Sequence, residues 1–487
     1  MNEKPRSPWR YSKCFLLGLA CLVVLIGLFY AEEDWRGWHA WNKFKHQWET
    51  KGEKFDFKDF VPPSVPDDQN FALTPIVASC YGYILDPNGH EITPRDTNVV
   101  DRLKMEVPLD RAKGIGNWQK STMSELRSPA ADVLLALSKY DPAIEELRQA
   151  SKMSGSRFPL NYDNEPPAAI LLPHLAALKK CTQVLQLRAI AELQNDQSDM
   201  ALADVKLSLR LTDAIHTEPF LISHLVRIAM VNITLQPIWE GLARHQWSDA
   251  QLAELESELA RVDFLADYEF TMRGERALGV ANIDYLRRTH KFDLMSNSDN
   301  SRSSHPVQNI ALHLMPNAWF YQNELAIARM HQQWILPPVD VEHQMVSPEA
   351  VRRNETAETN ELSHLAFYDV FARMLFPALV PAVKRFAYGQ ESVNLAHTAI
   401  ALERYRLAHG MLPESLDTLA PQFIGQVPHD IINGQPLHYL RTSDSQFALY
   451  SVGWNETDDD GEVVLQKGST PNVDINQGDW VWQYPAK

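Results

Sequence analysis

Residues 450–462 read YSVGWNETDDDGE, setting Asp458, Asp459 and Asp460 side by side between an apolar run and a glycine. Carboxylate oxygens are the hard ligands that calcium takes, about six to eight at a time, so the run reads either as part of a calcium site or as a solvated turn. Glu361 and His364 form one E-x-x-H. In a di-iron helical bundle that pattern needs a second copy and two further carboxylates, and no second copy exists, which leaves surface or capping residues. His174 in LLPHLAAL and His224 in LISHLVRI lie in apolar helical surroundings; a buried, hydrogen-bonded imidazole is the usual outcome there and a general base the rarer one. RGERALGVANIDYLRR groups Arg273, Glu275, Arg276, Asp284, Arg287 and Arg288, a pattern that ion pairs along a helix surface explain.

No G-x-S-x-G, S-x-x-K, H-E-x-x-H, C-x-x-C or G-x-x-x-x-G-K-[ST] occurs, and Gly114 and Gly116 lack the third glycine of a dinucleotide fingerprint. The sequence therefore assigns no catalytic residue and no cofactor-binding residue. Two function classes stay open: a non-catalytic interaction protein, favoured by the missing motifs, and an extracytoplasmic hydrolase of envelope polymers whose residues come from distant positions. The second requires a deep pocket joining His174 or His224 to carboxylates.

At 487 residues, with 45% hydrophobic and 22% charged residues, the chain has material for two or three packed units. Its net charge is −16, and residues 1–13 carry a local +3 that leaves −19 on the remainder. A body of that charge repels phosphate backbones, and no Lys/Arg cluster offers a footprint, so nucleic acid is excluded as a partner.

Residues 14–31, CFLLGLACLVVLIGLFYA, are 18 positions without a charge, enough to span a hydrocarbon core as a helix. A cleavable signal peptide should have a shorter apolar core and a small residue where Phe29 stands, so an uncleaved single-pass anchor is expected, with lipidation at Cys21 as a minor alternative. The basic tail precedes the anchor, which predicts residues 1–13 inside and the bulk of the chain outside the cytoplasm. Cys80 and Cys181 then face an oxidising compartment, as a disulfide or as two buried thiols. Trp35, Trp38, Trp41 and Trp48 follow at helical spacings, reading either as a helix at the membrane interface or as a stripe packed on the body.

The expected fold is mainly α. After the anchor come an aromatic and irregular segment at 32–128, a helical body at 129–390 and a small α+β module at 391–487. Within the body, residues 182–215 read as a helical hairpin turning at 195–199, and Ser248 with Gln251 forms a capping box. In the module, Leu395, Ala399, Leu402 and Tyr405 make a helical stripe stopped by Gly410; PLHYLRT and FALYSVG read as a hairpin, and DWVWQY as a third strand.

The ordered segments AIALERYRLAHGMLPESLDTLAP, VPHDIINGQPLHY and LYSVGWNETDDDG resemble the globular part of the major pseudopilins of type II secretion. The resemblance covers residues 391–479 and implies a calcium-binding last loop, which would transfer to Asp458, Asp459, Asp460 and, from PNVDIN, Asp474. It also implies a third role, that of a secretion-system component. Unlike that family, residues 32–390 separate anchor from module. The whole chain is similar to membrane-anchored proteins of planctomycete and verrucomicrobial bacteria. That similarity implies a bacterial cell envelope and supplies no activity. With the anchor and its orientation, the expected place is a bacterial inner membrane with the body in the periplasm. The acidic body and missing motifs make a protein partner in the envelope the expectation.

Overall fold

The computed structural model describes residues 8–79, 83–85, 91–94, 105, 129–291, 315–361, 370–466 and 473–483. Helix α1 (Pro8–Glu49) is continuous for 42 residues, through the apolar stretch and the tryptophan stripe alike. No proline interrupts it after its first residue, and it ends where Gly52 adopts φ +91°, a left-handed conformation natural to glycine. Its apolar segment is long and apolar enough to cross a membrane, and none of it is buried in the protein.

A strap then crosses the body through short 3₁₀ turns at Phe57–Phe60, Asp67–Gln69 and Phe71–Leu73. Phe55, Phe57, Phe60 and Phe71 bury their rings along it. The single turn α2 (Pro75–Ala78) and an antiparallel pair, β1 (Tyr83–Leu85) with β2 (Glu91–Pro94), follow.

The body consists of α3 (Pro129–Leu137), α4 (Asp141–Ala150), α5 (His174–Gln194), α6 (Ser198–Asp213), α7 (Leu221–Ala243), α8 (Asp249–Leu259), α9 (Phe264–Thr289), α10 (Asn317–Met330), α11 (Pro348–Glu361) and α12 (Val370–His409). The expected hairpin is α5–α6. Leu185, Ala189 and Leu193 on one helix and Leu202, Val205 and Leu209 on the other are buried, because i, i+4 positions share a helix face. Ser248 and Gln251 make the reciprocal capping box at the start of α8. Helix α7 is also long and apolar enough to span a membrane, yet more than half of its apolar window is buried inside the protein.

Two principal cores result. One joins α4, α5, α6 and the strap through residues such as Phe71, Leu147, Leu178 and Leu211. The other runs from α5–α9 into α12 and the C-terminal strands, including Leu235, Leu255, Phe386, Leu402, Leu449 and Trp480.

The C-terminal sheet has the order β5 (His438–Arg441), β6 (Phe447–Ser451), β9 (Trp480–Gln483), all antiparallel, so the expected hairpin and third strand are both present. A small pair, β3 (Val339–Asp340) with β4 (Met345–Val346), and a ribbon of β7 (Val463–Leu465) with β8 (Val473–Gly478) flank it. Gly410 ends α12 at φ +80°, its N–H donating to Arg406 O at 2.7 Å. Position 391, the expected start of the module, lies inside α12, whose far half shares its core with the body.

At Gly241 a Cβ would lie 2.1 Å from Nε1 of the buried Trp247. Gly241→Ala is therefore expected to lower stability by about 1–3 kcal/mol through overpacking, read as a lower urea midpoint; an unchanged midpoint would show that Trp247 moves freely.

Candidate functional site

The turn after β6 carries three of the four sequence-derived metal candidates. Gly453, Glu456, Asp460 and Gly461 all have positive φ, so the chain folds back on itself within nine residues. Asp458 Oδ1 accepts from Tyr450 OH at 3.3 Å and from Asp460 N at 3.0 Å, and its Oδ2 lies 3.4 Å from His438 Nδ1. Asp459 Oδ2 accepts from Asn455 Nδ2 at 2.8 Å.

Asp474 lies on β8, where its Oδ1 accepts from the backbone and the amide of Asn476 at 3.0 and 2.7 Å; these bonds hold the exposed carboxyl below its usual range. One oxygen each of Asp458, Asp459 and Asp474 is thus engaged by N–H or O–H donors. Among the described residues, no three His, Cys, Asp or Glu side chains are grouped so as to hold a metal ion.

The residue that organises this loop is Asp479, which the sequence reading passed over as part of a strand. Only 1% exposed, its carboxylate accepts from Gly461 N at 2.7 Å and from Asp459 N at 3.2 Å. Burial pushes its pKa up, and the charges of Asp459 and Asp458 add to that, against the two backbone hydrogen bonds. The available signal was an acid wedged between a turn glycine and a core tryptophan. Asp479→Ala should cost about 2–3 kcal/mol, since two donors lose a buried acceptor, whereas Asp460→Ala, on the exposed tip, should stay within about 0.5 kcal/mol. Urea unfolding of both variants distinguishes an organising carboxylate from a tolerant turn.

The two flagged histidines are brought together at the corner between α6 and α7. His174 Nε2 lies 2.7 Å from Glu218 Oε1, and its ring stacks on Phe158 at 4.1 Å. Ser223 Oγ donates to Glu218 Oε2, and His224 Nε2 lies 2.9 Å from the Glu218 carbonyl oxygen. His224 Nδ1 is 3.6 Å from Asp267, which is paired with Arg227. Tyr162 adjoins the cluster, its phenol pushed up by burial and by the Glu218 charge.

A serine, a carboxylate and an imidazole are present, but in an order unsuited to acyl transfer. The serine proton points at the carboxylate and the carboxylate stands between the other two, whereas an activated nucleophile needs the base against the hydroxyl. Glu218 is 2% exposed, and His174, Ser223 and His224 are wholly buried. A cleft of about 520 Å³ nearby is lined by Arg148, Lys206, Arg210 and Arg227 among others, and by neither histidine. The cluster ties α5, α7 and α9 together. Glu218, its hub, could have been suspected from HTEPF, a lone acid before a proline at the head of an apolar helix.

The arginine group divides. Arg288 pairs with Asp284 at 2.8 Å as expected for i, i+4 residues, but Arg276 is wholly buried rather than on the surface, stacked 4.3 Å from the Phe55 ring centre and donating to Glu53 at 2.7 Å. Arg273 holds the same carboxylate at 3.1 Å. Burial raises the Glu53 pKa, and the two guanidiniums more than reverse it. Cys181 is buried in α5, while Cys80 and His364 lie outside the described residues.

No family model matches the chain, and neither a curated protein nor a solved structure is significantly similar to it.

Proposed function

We propose that this chain is a single-pass protein of a bacterial inner membrane that holds a helical interaction body rigidly against the periplasmic face and works by binding a protein partner there. The observation that carries the reading is the unbroken helix α1. Phe15, Leu17, Val23 and Leu28 are 61–71% exposed along one stretch of it, while Trp41 further on is 6% exposed and packs with Phe55, Leu325 and Ala328. Exposed apolar surface of that length on a helix is stable in lipid and not in water.

Between these regions Trp35 and Trp38 stay 63% and 48% exposed, at the level where indole rings favour the membrane interface. The body grips the helix at two further points and the chain just beyond it at a third. Gly37 lets α1 approach α10 so closely that a Cβ would lie 2.8 Å from Ala318 Cα; Asp34 Oδ1 accepts from Ala318 N at 2.8 Å; and Glu53, four residues past the end of α1, is clamped by Arg273 and Arg276.

Extraction tests the reading. The full chain should resist alkaline carbonate and be released when residues 1–31 are deleted, and protease added to spheroplasts should digest the body. Protection of the body until the membrane is ruptured would reverse the orientation. Gly37→Leu should separate α1 from α10 and speed cleavage near Lys51 and Lys54 without loss of membrane retention; unchanged cleavage would mean that the docking is not rigid.

The pseudopilin-like tail belongs to the same proposal. Its support is one long helix against a three-stranded antiparallel sheet with an acidic turn. Calcium at Asp458, Asp459, Asp460 and Asp474 rests on their oxygen chemistry. Calorimetric titration of the full chain decides it: saturable binding lost in Asp458→Ala/Asp460→Ala supports calcium, and no binding reduces the tail to a packing module.

A further inference from the structure

We propose that the groove between α7, α12 and β9 binds a neutral sugar, through one or two pyranose rings of an oligosaccharide. The groove encloses about 310 Å³ and is lined by four aromatic side chains, Trp239, Tyr388, Trp480 and Trp482. That is near the lower end of small-ligand sites. Asn232 and Gln236, four residues apart on one face of α7, bring two amides to it, and none of the described residues lining it carries a formal charge.

The aromatic walls are held in place before any ligand arrives. Trp239 Nε1 donates to Gln483 O at 3.0 Å, which joins α7 to β9. Tyr388 and Trp480 meet edge to face at 5.4 Å. The Gln236 amide leans on Glu240, its Nε2 donating to Oε1 at 3.3 Å, which leaves its carbonyl oxygen as an acceptor.

Two buried donors are left over. The indole Nε1 atoms of Trp480 and Trp482 make no hydrogen bond within the described residues, although these residues are only 2% and 7% exposed. A Cβ at Gly453 would lie 3.4 Å from Trp480 Nε1, so that N–H is turned toward the β6 end. Trp482, whose side chain lines the groove, is the remaining candidate donor. Buried indole N–H groups usually find a partner.

Ligand classes can be sorted by what the groove offers. A charged ligand would be desolvated with no countercharge. A purely apolar one would leave the amides and the indole N–H unpaired. A pyranose presents an apolar C–H face to a ring and hydroxyls around its edge, which satisfies both requirements. The competing occupant is an extended peptide added to β9, which among the described residues pairs with β6 alone.

The test uses the full chain in a detergent without a sugar headgroup, such as a dimethylamine oxide. Triacetylchitotriose, maltotriose and an uncharged Ser/Thr pentapeptide are titrated while intrinsic tryptophan fluorescence and heat are followed. The expected result is saturable binding of a trisaccharide with a dissociation constant on the order of 0.1–1 mM. Trp239→Ala, which removes a half-buried wall, should weaken it by at least about tenfold. Trp482→Phe, which keeps a ring and removes the N–H, should weaken it by about three- to tenfold in protein whose melting curve shows it still folded at the assay temperature. No saturation by either sugar up to about 20 mM, sugar binding unaffected by both variants, or binding of the peptide alone would each overturn the proposal.

Discussion

Replacing Asp204 by alanine is expected to destabilise the protein by about 3–5 kcal/mol, the range seen when one partner of a buried ion pair is removed. Asp204 in α6 is wholly buried and accepts from Arg188 Nε at 2.9 Å and from Arg148. Arg188, itself 7% exposed, also meets Asp141 and lies 3.3 Å from Glu192. Two guanidiniums thus meet two buried carboxylates, Asp204 and Glu192, with the exposed Asp141 at the rim, in a network joining α4, α5 and α6, and alanine leaves the cations facing a void.

Asp204→Asn keeps the shape and one acceptor and should cost less than alanine. The network has a second readout. Burial raises the Glu192 pKa, and the Asp204 charge pushes further in the same direction, against Arg188, to about 7. Removing Asp204 should bring it down. A cost below about 1 kcal/mol in urea unfolding would mean that the network behaves like an exposed pair, and the structural role given to it would fall.

The second large effect is a dependence on pH with an unusual sign. Glu324 in α10 is 2% exposed, its Oε1 makes no hydrogen bond within the described residues, and burial with the Asp284 charge raises its pKa to about 8, against Arg287 and Lys45. Its folded form holds a proton more tightly than the unfolded chain does. The resulting stabilisation is full below the unfolded value near 4.5 and is lost as pH rises through about 8. Glu275, whose carboxyl caps the start of α7 through Leu221 N at 2.6 Å, adds a similar contribution lost through about 7.

Glu53, Glu403 and Asp284 have lowered values and act in the opposite sense, losing their contribution as pH falls below the usual carboxylate range. Stability should therefore be greatest in mildly acidic solution and decline toward pH 8. Glu324→Gln, which cannot ionise, should raise stability at pH 8.5 by roughly 3 kcal/mol, the size of the shift less the cost of an unpaired amide. At pH 5, where almost none of that shift is felt, the amide cost remains and the variant should be about 1–2 kcal/mol less stable. Melting curves at the two pH values decide the matter, and an equal effect at both would show that Glu324 is already ionised or already paired.

Much of the architecture was readable from local pattern. Leu185, Ala189, Leu193 and Leu202, Val205, Leu209 marked the α5–α6 hairpin because helix faces repeat every three to four residues. Ser248 and Gln251 marked the start of α8, and Gly410 the end of α12, because caps are local hydrogen-bond chemistry. The C-terminal strands were equally visible in their β-branched and aromatic runs.

The candidate sites were less legible. Asp458, Asp459 and Asp460 attracted attention as neighbours in sequence, yet the carboxylate that shapes their turn, Asp479, arrives from the other side of β8.

By itself, then, the sequence determined an apolar stretch long enough to span a bilayer, a mainly helical body of strongly negative charge and a short α+β ending. Each of these is written in residues close together along the chain, where periodicity and composition act. Tertiary structure alone decided that the tryptophan stripe divides between solvent and core, that Arg276 turns inward to Glu53, that His174 and His224 meet over Glu218, and that Trp239 closes a groove with Trp482. Those pairings join residues from tens to more than two hundred positions apart. Which distant partners meet depends on how helices and strands pack, and packing is selected by the whole buried surface rather than by any one segment.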